Sequence, residues 1–151
     1  MSKLLQKIEN DLKKALKEKN QIKFSLLRML ISDIHNEEIA KKKKGELTDE
    51  EVQEVIQRSV KRHRDSIEAF LKGGREDLVK KEKEEMEILI RYLPKQLTKE
   101  EIEKIVKEAI KKVKAVSMAD LGKVMGIVMS QVKGKAEGKM VNEIVKKQLS
   151  K

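Results

Sequence analysis

Two histidines and one pair of glutamates are the residues of this 151-residue chain best suited to proton or metal chemistry. His35 and Glu38 have the i, i+3 spacing that presents one face of a helix to a metal. No further histidine lies near them in the sequence to complete a site, so no metal is expected there. His63 falls on the apolar line of its helix and reads as a hydrogen-bonded boundary histidine. Glu82 and Glu85 point to the side shared by Leu78, Met86 and Leu89, and paired carboxylates do acid–base work when a cleft surrounds them. No cleft-forming pattern is evident. The expectation is therefore a structural ion-pair network of Arg62, Arg75, Glu82 and Glu85 between two helices, with Arg58 and His63 within reach. Cysteine is absent, which excludes thiolate nucleophiles, Cys-ligated zinc and iron–sulfur clusters. Gly-x-Ser-x-Gly, Rossmann and His-Glu-x-x-His signatures are also missing. Neither catalysis nor any cofactor is expected.

The second group with chemical potential is cationic. Residues 110–151 carry ten lysines against Asp120, Glu137 and Glu143, a net charge of +7 of the chain's +10. Lys111, Lys112, Lys114, Lys123, Lys133, Lys135, Lys139, Lys146 and Lys147 would form one polyanion-binding field if their helices pack closely. Four of the seven glycines accompany them, Gly122, Gly126, Gly134 and Gly138. The run Lys133-Gly134-Lys135-Ala136-Glu137-Gly138-Lys139 leads into a helix N-terminus, where backbone N–H groups approach a phosphate closely. It is not a Walker A loop: Gly134 to Gly138 is one residue short, and Met140 stands where Ser or Thr would hold Mg²⁺. The competing reading is a lysine face that serves solubility alone.

The elements that position these residues are helical. Apolar residues recur at helical spacing, period-two alternation is missing, and the 2% aromatic content makes a base-stacking platform improbable. Ser2 caps a first helix to about Glu18, and Asn20 separates it from a second over about Gln21 to Lys42. Leu47-Thr48-Asp49-Glu50-Glu51-Val52 holds a capping box and hydrophobic staple that start a third helix. Gly73-Gly74 ends it, and a fourth runs from Glu76 to about Tyr92, where Pro94 disfavours continuation. A second capping sequence at Leu97 to Ile102 opens a fifth helix, Ser117 with Asp120 opens a sixth, and a seventh carries Met140, Val141, Ile144, Val145 and Leu149. The fold class is all-α, with an N-terminal four-helix domain over 1–93 and a small three-helix domain over 97–151. No apolar run is long enough to span a bilayer, and the first thirty residues carry charges throughout, so no membrane association and a cytoplasmic location are expected.

Taken together, the segments Leu26-Leu27-Arg28-Met29-Leu30, Arg64-Asp65-Ser66-Ile67 with Phe70 and Gly74-Arg75, Glu82 and Glu85, Tyr92-Leu93-Pro94 with Gln96-Leu97, Gly122-Lys123-Val124-Met125-Gly126 and Lys133-Gly134-Lys135-Ala136 make the chain resemble the YqeY family. That family is related to the tail of the B subunit of the tRNA-dependent amidotransferase, GatB. The resemblance runs over nearly the whole chain and implies a helical domain followed by a smaller three-helix domain, together similar to the amidotransferase tail that helps to hold the tRNA body. Phosphorylation and amide transfer take place in a catalytic cradle of the larger relative, with no counterpart here. A label of carbon–nitrogen ligase with glutamine as amide donor would describe that relative. Carried over position by position, the resemblance implies RNA contact at Lys123, Lys133, Gly134, Lys135 and Gly138, to which Lys139 is added as the next cation. Glu137 stands where the pattern more usually has Asp, a better N-cap.

The function expected is a non-enzymatic RNA-binding accessory module with tRNA as partner. The alternative is a helical protein-interaction or assembly factor, the amidotransferase being a candidate partner and Phe24 and Met29 its exposed apolar residues. Oligomeric state is not legible in the sequence.

Overall fold

The computed structural model describes residues 2–150, which form seven α-helices and no strand. They are α1 (Lys3–Lys17), α2 (Gln21–Ala40), α3 (Asp49–Lys72), α4 (Glu76–Ile90), α5 (Lys99–Val113), α6 (Leu121–Val132) and α7 (Gly138–Leu149). The contacts gather into two compact units, Met1–Leu93 and Pro94–Lys151. Among the described residues no helix is long and apolar enough to cross a membrane.

In the first unit the helix starts follow from local side-chain chemistry. Ser2 accepts from the Leu5 N–H at 3.1 Å, and its hydroxyl donates to Asp49, the first residue of α3. Asn20 caps α2 through the Lys23 N–H. Thr48 and Glu51 make the full reciprocal box, the Glu51 N–H donating to Thr48 and the Thr48 N–H to Glu51. Leu5, Ile8, Leu27, Leu30, Ile34, Val52, Ile56 and Leu89 are fully buried in one core. Helix α2 ends at Ala40, short of Lys42, because Lys42 (φ 55°) and Gly45 (φ 72°) turn the chain through left-handed geometry. Helix α4 ends at Ile90. Its last turn tightens into i, i+3 bonds from Tyr92 to Leu89 and from Leu93 to Ile90 before Pro94. The Tyr92 hydroxyl donates to Asp11 at 2.5 Å, which ties the end of α4 to α1.

Helix α4 buries Val79, not the expected Leu78, and its inner line continues through half-buried Glu82, Glu85 and Met86 to Leu89. Helix α3 buries Val52, Val55, Ile56, Ser59, Val60 and Ile67 on the face that also carries His63. The two helices pack on each other and are joined at Gly73-Gly74, where Gly74 has φ 70°.

The second unit is a three-helix core of Ile102, Val106, Val124, Val128, Val132, Val141 and Val145, all fully buried. Thr98 caps α5 through the Glu101 N–H at 3.2 Å. Ser117 caps a short 3-10 turn, Met118–Asp120, instead of α6 itself, which begins at Leu121. The connections are short, so α6 runs antiparallel to α5 and α7.

Candidate functional site

The turn between α6 and α7 is held by the segment that precedes α5. Gly134 is buried with φ 80°, and its carbonyl accepts from the Gln96 amide at 2.9 Å. The Lys135 carbonyl accepts from the Leu97 N–H at 2.8 Å, and the Lys135 N–H donates back to Val132 at 2.8 Å. Gly134 is therefore an anchor of the turn. Lys133, Lys135, Gly138 and Lys139 are exposed around it. Glu137 makes no side-chain cap for α7, so the N–H groups of Gly138, Lys139 and Met140 have no acceptor within the helix and point outward with the positive end of its dipole.

Lys123 is not part of this cluster. It lies one turn into α6, ten residues before Lys133, which along a helix is about 15 Å. A second group shares its end of the three-helix unit. The end of α5 brings Lys111, Lys112 and Lys114, and the end of α7 brings Lys146 and Lys147. A contact of 3.9 Å between the Ser150 hydroxyl and the Met118 sulfur confirms that the end of α7 meets the start of α6. The nine lysines thus divide between the two ends of α6 and do not converge at one point.

The six lysines at the α6 start are all exposed, and among the described residues none of them forms an ion pair. Asp120, the acid nearest to Lys123 in sequence, is occupied by the Val116 N–H at 3.0 Å, while Glu108 and Glu143 stand three and four residues before Lys111 and Lys112 and before Lys146 and Lys147 without pairing with them. Lys111, Lys112, Lys146 and Lys147 each sit in a last helical turn, where cations offset the negative dipole end. That accounts for their tolerance in the fold but leaves their mutual repulsion unanswered. These residues stand out in the sequence by charge alone. Their grouping at one end follows only from the direction in which each helix runs.

In the first unit the arginines do not hold Glu82 and Glu85 as expected. Arg62 pairs with Asp33 of α2 at 2.8 Å and Arg75 with Asp77 at 3.4 Å, while Arg58 pairs with Glu37. The reason is register: Arg62 and Arg58 are on the α2-facing side of α3, and the side facing α4 carries His63. Glu85 lies 2.9 Å and Glu82 3.7 Å from His63 Nε2, while Nδ1 lies 2.8 Å from the Ser59 carbonyl. The three side chains are 12%, 21% and 17% exposed for His63, Glu82 and Glu85. His35 meets Glu38 at 3.3 Å, with Glu38 buried and His35 half-exposed, and no third ligand joins them among the described residues.

The profile of Yqey-like proteins matches residues 5–149. A protein of Pyrenophora tritici-repentis named "altered inheritance of mitochondria protein 41, mitochondrial" is 34% identical over 135 residues, covering 88% of this chain and 73% of its own length. Proteins of the same name from Candida glabrata and Saccharomyces cerevisiae are 33% and 38% identical, each over 57% of this chain. The chain spans less than half the length of those two yeast relatives at the matched region, 47% and 46%. These names overturn the cytoplasmic expectation, since they place the relatives in mitochondria. The lack of an apolar signal block does not separate a cytoplasmic protein from a mitochondrial one. By the match over nearly all of its length, the chain belongs to the Yqey-like protein family.

Proposed function

We propose that this protein is an RNA-binding accessory module, with tRNA as its RNA, that grips the phosphate backbone without catalysing a reaction. The observation that carries this reading is the six exposed, ion-pair-free lysines gathered where α5, α6 and α7 meet. The turn at Lys135 and Lys139, at the opposite end of α6, supplies a second point of contact about 15 Å or more away. Two separated cationic points suit a folded RNA, whose phosphates follow a curved surface, better than a compact anion. The relation to the tail of the amidotransferase B subunit agrees with this reading and belongs to the same proposal. So does the view that the two units act as separate domains.

Neutralisation of about four phosphates gives a log–log salt slope near −3. A filter-binding titration of unfractionated tRNA from low to moderate salt tests it directly, and no retention of tRNA at low salt refutes it. A second reading, a helical protein-interaction factor, is favoured by Ile22 and Met29 of α2, which are two turns apart on one face and 42% and 63% exposed. Phe24 is half-buried and does not contribute to that face. Recovery of a specific protein on the tagged chain after nuclease treatment, abolished by Met29→Glu, supports that second reading.

A further inference from the structure

We propose that His63, Glu82 and Glu85 form a binding site for a divalent first-row transition cation, with Zn²⁺ the best match, that staples α3 to α4. The inference is independent of RNA binding. A carbonyl oxygen only accepts, so the 2.8 Å contact with Ser59 makes His63 Nδ1 a donor and puts its proton there. Nε2 is then the atom presented to both glutamates, and Ser59 is itself buried, which fixes the ring. A histidine that ligates a metal through one nitrogen while the other donates to a backbone carbonyl has this arrangement.

The distances fit the same reading. With metal–ligand bonds of about 2.0–2.1 Å, ligand atoms at tetrahedral positions lie about 3.3 Å apart. The Nε2 separations of 2.9 and 3.7 Å from Glu85 and Glu82 bracket that value, and one ligand atom from each residue lies within 4.8 Å of the others. Charge points the same way. Neither glutamate has a lysine or arginine within ion-pair distance among the described residues, so two half-buried carboxylates share a single imidazole. A dication balances them.

The donor set, one imidazole nitrogen and two carboxylate oxygens, selects among metals. Without thiolate or thioether it disfavours Cu(I). Three ligands that include a nitrogen are too few and too soft for Ca²⁺, which takes six to eight oxygens. Glu82 and Glu85 are one turn apart on α4, and His63 is on the neighbouring helix, so the bound ion links two elements that meet elsewhere through apolar packing.

The test is calorimetric titration of the full chain, stripped with a chelator, with ZnCl₂ in a non-coordinating buffer, together with Co²⁺ titration followed by visible absorption. One Zn²⁺ per chain, a higher thermal midpoint with Zn²⁺ and the visible bands of low-symmetry Co²⁺ are expected. Glu85→Gln and Glu82→Gln keep the side-chain shape, and each should weaken Zn²⁺ binding by about tenfold or more with an unchanged helical circular dichroism spectrum. His35→Ala should leave binding intact. Absence of stoichiometric binding by both Zn²⁺ and Co²⁺ overturns the proposal, as does binding that survives both glutamine variants or disappears with His35→Ala. In those cases His63 is held by its carboxylates alone.

Discussion

Glu51 is the most strongly perturbed acid in the first unit. The Thr48 N–H, then the Lys41 ammonium at 3.1 Å and the Lys43 ammonium at 3.2 Å, hold its carboxyl down from 4.5 to about 2. A carboxyl depressed in the folded state stabilises the fold above its unfolded value and loses that contribution as the pH falls through the folded value. The thermal midpoint should therefore fall as the pH drops from 4.5 towards 2, and Glu51→Gln should flatten that part of the profile, as followed by circular dichroism. Tyr92 offers a second check. Burial first, and the bond to Asp11 second, hold its phenol well above the usual range, so it remains a donor at all ordinary pH. Tyr92→Phe leaves the half-buried Asp11 carboxylate without that donor and should cost about 1–3 kcal/mol in a denaturant titration. The pairing of Thr48 with Glu51 was legible in the sequence because a capping box is local. The convergence of Lys41 and Lys43 on Glu51 was not, since it depends on how the chain turns at Lys42 and Gly45.

At the scale of the element, helix existence and order were readable from periodicity and capping residues, and so was the inner side of α4, which differs only in burying Val79 more deeply than Leu78. The side of Glu82 and Glu85 was thus legible, and their partner was not: antiparallel packing about Gly73-Gly74 sets them opposite His63, which is roughly equidistant from the turn. Counting outward from the glycines would have joined the three residues, whereas matching acids to the nearest arginines did not. The α6–α7 turn is a comparable case. Gly134 was singled out for phosphate approach, yet its φ of 80° and its bond to Gln96 make it a structural hinge point. An L side chain in left-handed geometry costs about 1–2 kcal/mol. Gly134→Ala should lower stability by that amount in chemical denaturation, and the equivalent change at Gly138, whose added methyl would meet only Met129 at 3.8 Å, should cost no more than a few tenths.

Across the whole molecule the charge is distributed unequally in kind as well as amount. The first unit holds Arg58, Arg62, Arg75, Lys41, Lys43 and Lys72 in pairs, including Arg58 with Glu37, Arg62 with Asp33 and Lys41 with Glu37, Glu51 and Glu54. The second unit leaves Lys111, Lys112, Lys114, Lys123, Lys135, Lys139, Lys146 and Lys147 outside any ion pair among the described residues. Composition by segment revealed that excess but not its geometry, because a charge count keeps no record of which helix end each lysine occupies. Exposed cations outside ion pairs gain most from a polyanion, through release of its condensed counterions, and the gain weakens as salt rises. The most direct test compares tRNA binding by the native chain and a Lys111, Lys112, Lys146 and Lys147 fourfold glutamine variant over a range of salt. The account predicts a slope near −3 for the native chain and a markedly shallower slope with weaker binding for the folded variant. Equal affinity and slope in the two proteins, or no tRNA binding by the native chain at low salt, would contradict it.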